Sequence, residues 1–163
     1  MEFESDTAFA VKDLLITPFS VSHDAIDPVG FTIDSSEDSK IGIVTDIGLV
    51  TALVIERLRN SNILLLEFNH DINILNYSHY PWDLKQRIKS NLGHLSNTQG
   101  AELLNSLVHN RLKHVILGHL SKVNNTKEAA IRYASEVLER HGAQSEIDIS
   151  VAPRKTIGEV VQI

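Results

Sequence analysis

KIGIVTDIGLVTALVIERLRNSNILLLEFNHD, residues 40–71, decides the fold. Its apolar, largely β-branched run 41–44 stops at Thr45-Asp46. Residues 49–58 then carry apolar side chains at helical spacing, and 63–68 form a second short apolar run that also ends in polar residues. Runs of this length flanked by turn formers read as strands, and the periodic segment between them reads as a helix. The same unit recurs downstream. Pro81 suits the first turn of a helix reaching about Lys89, and Ser96 or Asn97 caps another that carries Leu103, Leu104, Leu107 and Val108 on one face. Residues 114–117 are a strand. Asn125 or Thr126 opens a helix with Ala130, Tyr133, Ala134, Val137 and Leu138 on one stripe and Gly142 at its end. Residues 147–151 close the pattern as a strand.

Upstream the chain is strand-only. Residues 8–11 and 14–21 flank the turn-prone Lys12-Asp13 as a hairpin, and residues 31–33 and 41–44 flank the polar DSSEDSK loop. Strands first and strand–helix units afterwards indicate an α/β (α+β) fold built on a mixed sheet covered by helices, with residues 1–163 as a single domain.

Composition narrows the chemistry. At 42% hydrophobic and 22% charged, the chain is of ordinary globular type. A net charge of −6 argues against a generally basic nucleic-acid binder but leaves room for a local basic groove. The absence of cysteine removes disulfides and thiolate sites together, so any metal must be held by His, Asp or Glu. An acidic N-terminus without a signal-peptide core, and apolar runs too short for a bilayer, imply a cytoplasmic protein with no membrane partner.

Apolar strands run straight into metal-competent residues at His23, Asp46 and His119. A further strand ends at Glu67-Phe68-Asn69-His70-Asp71, and Gly93-His94-Leu95-Ser96 precedes a helix. Strand ends hold side chains rigidly, which metal ligation requires. Each residue also has a plainer reading: His23 and Asp46 as turn residues, His119 as structural, His94 as a helix cap. His70 and Asp71 read as supporting groups or a hydrogen-bonded turn, and His79, His109, His114 and His141 have no partner pattern. Lys85, Lys89, Arg154 and Lys155 read as solvated charges in preference to a nucleic-acid groove.

SHDAIDPVGFTI, IVTDIG, LLLEFNHD, YPWDLKQRI, GHLSN and LGHLSKVNN occur in the order found in metallo-β-lactamase-fold metal-dependent hydrolases of the YycJ (WalJ) type, which are similar to ribonuclease Z and related phosphodiesterases. A single motif such as GHLS is unspecific. The ordered set carries the resemblance. It implies His23, Asp46 and His119 as metal ligands and His94 with Glu67 as the pair that assists proton transfer to the leaving group; from the residues themselves Lys122, beside His119 in sequence, and Ser96 are candidate contacts to a substrate phosphate, as are Lys85, Arg87 and Lys89 on one expected helix.

The family's HxHxDH signature, which supplies most ligands of two metal ions, is absent; the sequence contains no HxH. The resemblance therefore implies the C-terminal half of an αββα sandwich, with one divalent ion, Zn²⁺ or Mn²⁺, at most. The implied activity is metal-activated hydrolysis of a nucleic acid or other phosphodiester, impaired without an N-terminal half. Such a half domain exposes the inner face of its sheet and is expected to self-associate or to pair with that missing half. The alternative is a catalytically silent fragment serving as a binding or assembly module, or a truncated piece with no independent role.

Overall fold

A seven-stranded sheet organises the chain in strictly sequential order. The computed structural model describes residues 4–162. β1 (Phe9–Val11), β2 (Leu14–Ser20), β3 (Val29–Ser35) and β4 (Lys40–Val44) pair antiparallel. β5 (Ile63–Glu67), β6 (His114–Gly118) and β7 (Asp148–Val151) extend the sheet in parallel with β4. The expected hairpin at residues 12–13 is present, with Lys12 taking the left-handed backbone (φ 57°) that so tight a turn requires.

Five helices fill the connections: α1 (Ala52–Leu58), α2 (Ile72–Tyr77), α3 (Trp82–Lys89), α4 (Asn97–Asn105) and α5 (Lys127–Arg140). Thr51 caps α1, so this helix starts three residues later than the expected 49. Ser96 forms a full capping box with Gln99 at the head of α4. The short α2 was not expected. Asp71 creates it by accepting from the amides of Asn73 and Ile74 at 2.8 and 3.2 Å.

The core lies on one side of the sheet. Val44, Leu64, Leu66, Val115 and Leu117 point to the same face and pack with Leu58, Leu103, Leu104, Ala134 and Val137 of the helices, all fully or almost fully buried. The strand register sets Phe31 beside Ile43, Ile43 beside Leu65, and Leu65 beside Ile116 on the opposite face. Ile33 and Ile41 continue that row. All six are only half-buried, and Ile33, Ile41, Ile43, Leu65 and Ile116 stand outside the core cluster. One face of the sheet is thus a helix-packed core, while the other presents a broad apolar surface.

Candidate metal centre

Register explains why the candidate residues meet. Val44 pairs with Leu66 and Glu67 with Gly118, so β4, β5 and β6 end along one rim. Asp46 lies two residues beyond β4, Glu67 is the last residue of β5, and His119 follows β6 directly. Asp46 and His119 both turn in the left-handed region (φ 55° and 54°), a conformation costing about 1–2 kcal/mol for a residue with a Cβ. Backbone strain of this kind concentrates at functional sites. His23 enters from the loop after β2, which is tied down by an isolated bridge between Ser22 and Leu49 and by the Gly48 amide donating to the Ser22 carbonyl at 2.8 Å.

Asp46 is the hub. One carboxylate oxygen lies 3.6 Å from His23 Nε2, 3.8 Å from His94 Nδ1 and 3.6 Å from His119 Nδ1. The imidazole of His94 stands between the other two, with ring centroids 5.0 Å from each. Two compact donor sets result, His23–Asp46–His94 and Glu67–His94–His119. Among the described residues no one compact set holds all three ligands implied by the resemblance: His23 and His119 fall in different sets, His94 belongs to both, and Asp46 lies 3.6 Å from each of the outer two.

Glu67 organises the imidazoles from below. Its side chain is completely buried. Oε1 accepts from Nδ1 of His119 at 2.7 Å and of His94 at 2.9 Å, and Oε2 accepts from the Ile47 amide at 2.9 Å. Burial alone would raise the carboxyl's pKa. The bonds from His119, His94 and Ile47 outweigh burial and hold it below the ordinary glutamate range. The Glu67 bond in turn raises the His119 imidazole above the usual histidine value, against desolvation. With Nδ1–H committed to the carboxylate, each ring keeps Nε2 for a ligand or proton. His23 is fixed by the same logic: Nδ1 bonds the Gly93 carbonyl at 3.0 Å, which frees Nε2 toward Asp46.

The remaining candidates separate cleanly. Lys122 lines an adjoining cleft that His94 and His119 also line. Ser96 does not face that cleft. It is buried, and its hydroxyl donates to Gln99 Oε1 at 2.8 Å while accepting from the Gln99 amide, so the capping box occupies the group that was expected to meet a phosphate. Asp71 caps α2, and His70 is buried behind the rim, where desolvation lowers its pKa to about 4. His109, His114 and His141 bond Ser61, Ser150 and Asn105 respectively, and His79 stacks edge-on against Tyr80. The sequence did not single out Asp24, whose carboxylate lies 3.5 Å from His23 Nε2 and 2.5 Å from the Arg87 guanidinium. Arg87 holds its carboxyl below the usual range. The adjacency His23-Asp24 was the available signal.

No family model matches the chain. Exodeoxyribonuclease WalJ of Streptococcus pneumoniae is 43% identical over 128 residues, covering 78% of this chain and 47% of that protein. Exodeoxyribonuclease YycJ of Bacillus anthracis is 35% identical over 130 residues, covering 80% and 49%. The chain therefore spans about half the length of the relatives it matches. Among solved structures, the metallo-β-lactamase fold protein YhfI of Bacillus subtilis superimposes with a TM-score of 0.65 at 13% identity, over 92% of this chain and 51% of that one. The short form of human tRNase Z does so with a TM-score of 0.51 at 18% identity, over 70% and 38%. By sequence the chain is a relative of the proteins named WalJ and YycJ, and by structure it carries part of a metallo-β-lactamase fold.

Proposed function

We propose that this chain is the C-terminal half of a metal-dependent phosphodiesterase acting on nucleic acid, and that it works together with a half supplying the remaining ligands. The observation that carries this reading is the convergence of His23, Asp46 and His119 around one carboxylate oxygen, with two imidazoles locked from behind by the buried Glu67. The donor set suits a divalent ion such as Zn²⁺ or Mn²⁺: imidazole nitrogens, one exposed carboxylate, and a hydrogen-bonded carboxylate behind them. His23, Asp46 and His119 would hold the ion, which supplies Lewis-acid polarisation of a phosphoryl oxygen and hydroxide at neutral pH.

The chain's own residues then do the following work. Glu67 accepts the Nδ1 proton of His94, so Nε2, the nitrogen away from the buried carboxylate, is the one that takes up a proton and passes it to a departing oxygen. It holds His119 in the same way and makes that ring more basic. Lys122, exposed on the cleft that both imidazoles line, neutralises substrate phosphate without reading sequence. The apolar face of Ile33, Ile41, Ile43, Leu65 and Ile116 offers the surface for the complementary half, or for a second copy of the chain.

The test is hydrolysis of an activated phosphodiester with Mn²⁺ or Zn²⁺, by the chain alone and mixed with the N-terminal half of a relative. Turnover is expected in the mixture, abolished by Asp46→Asn. An inert mixture overturns the hydrolase reading. It leaves the second one, a silent assembly module, which the half-length match and the open sheet face favour.

A further inference from the structure

Beside His94 and His119 opens a cleft of about 1010 Å³, walled by α3, the loop after β6, the start of α5 and the segment after β7. Its charge is at odds with the rest of the molecule. The chain as a whole is acidic at −6, yet Arg87, Lys122, Lys127, Arg154 and Lys155 line the cleft and, among the described residues, no Asp or Glu does. Arg87 is paired with Asp24. Arg154 donates to the Leu120 carbonyl and so ties the segment after β7 to the loop carrying Lys122. Lys122, Lys127 and Lys155 are exposed, and among the described residues the ion pairs formed involve none of them. The α3 wall is of another kind: Tyr80, Leu84 and Ile88 are half-buried there.

Unpaired cations in an acidic protein lose nothing by being solvated, so their presence alone would say little. Their segregation does: three ammonium groups outside the ion pairs, from separate parts of the chain, share one cleft with an aromatic and aliphatic wall, and the two imidazoles line the same cleft. A positive track with a ring and aliphatic side chains along it is the arrangement that binds a single nucleic-acid strand, phosphates on the cations and bases against the apolar wall. A duplex needs no such wall, because its base faces are stacked inside. Lys127, in the first turn of α5, adds to the positive potential of that helix end.

We infer that this cleft holds the backbone of one unpaired nucleic-acid strand next to the scissile bond, with Lys122, Lys127 and Lys155 on successive phosphates. Arg154 acts as a positioning residue that fixes the track's two sides. The inference rests on the nuclease reading above and goes further by naming the strand form and the residues that hold it.

The test is fluorescence anisotropy of a labelled single-stranded 20-mer in EDTA, so that binding is read without hydrolysis. Each phosphate neutralised contributes about 0.7 to the slope of log affinity against log salt for a single strand. The triple variant Lys122→Gln/Lys127→Gln/Lys155→Gln is expected to lower that slope by about 2, whereas Lys113→Gln/Arg132→Gln/Arg140→Gln, on other surfaces, leaves it unchanged. A slope that ignores the cleft variant, or a blunt duplex that binds as tightly as the single strand, overturns the inference. Intact binding with no turnover in the reconstituted mixture removes only the nuclease reading. Turnover with an unaltered salt slope removes only the cleft.

Discussion

Glu67→Gln is the most informative single change, because it keeps volume and shape while altering only what the group can accept. The carboxylate takes three N–H bonds in a fully buried position, two from imidazoles on Oε1 and one from the Ile47 amide on Oε2. A carboxamide has one acceptor oxygen. If that oxygen faces the histidines, the NH₂ group meets the Ile47 N–H, and two donors confront each other out of water. If it faces Ile47, the NH₂ group meets both Nδ1–H groups, and the rings must move their protons to Nε2.

An unsatisfied buried donor costs about 1–3 kcal/mol, and the lost charge assistance adds to that. Release of the burial cost of the charge offsets part, so the net loss is about 2–3 kcal/mol. In a chain of this size that lowers Tm by about 4–12 °C. Metal affinity is expected to fall by about 10–100-fold, the usual consequence of removing a carboxylate behind a ligating imidazole. Thermal unfolding followed by circular dichroism reads the first effect, and nitrogen NMR of the imidazoles reads the tautomers directly. A Tm within about 1 °C of wild type with both rings still protonated at Nδ1 would refute the role assigned to Glu67.

Further expectations follow from the same geometry. His70 is neutral in the fold, with a pKa lowered from 6.5 to about 4 by desolvation. As pH falls below 6.5 the unfolded chain takes up a proton that the folded chain refuses. Stability should therefore drop by about 3 kcal/mol between pH 6.5 and 4 and level off below. His70→Gln should remove that step in urea titrations, and an identical pH profile in the variant would argue against it. In Gly48→Ala the added Cβ would sit 2.6 Å from backbone atoms of Asn91 and Gly93, which cannot yield as a side chain tip can. A loss of about 1–3 kcal/mol and weaker metal binding are expected, because that loop carries His94 and the carbonyl that orients His23. An unaltered Tm would contradict this. The open apolar face should make the isolated chain self-associate, and Ile43→Lys/Ile116→Lys should shift it toward monomer by light scattering with its circular dichroism retained. A compact wild-type monomer that binds little hydrophobic dye would count against that surface.

Much of this was legible in the sequence for a physical reason: residues 41–44, 63–68 and 114–117 are apolar runs too short for helices, and each ends at or next to a residue with donor chemistry. The rim was therefore visible before the fold. What the sequence does not carry is register. That Glu67 reaches both His94 and His119 follows from the pairing of Glu67 with Gly118 and from the Leu95 carbonyl accepting the Asn69 amide. Helix α2 has only six residues, too few for a periodic signal, and its cap Asp71 reads equally well as a hydrogen-bonded turn. For Ser96 the sequence carries both a cap and a phosphate reading, and the capping box with Gln99 decides for the cap. Lys155 reads in sequence as a solvated charge, Lys122 as a phosphate contact on its own, and Lys127 carries no signal; only the fold sets the three along one cleft.

Zn²⁺ titration of the metal-free chain by calorimetry, beside Asp46→Asn and His119→Ala, bears most directly on the proposed centre. One ion taken up by the wild-type chain, and none by Asp46→Asn or His119→Ala, is the expected result. No uptake at all, or uptake that both variants retain, would contradict a metal site at this rim.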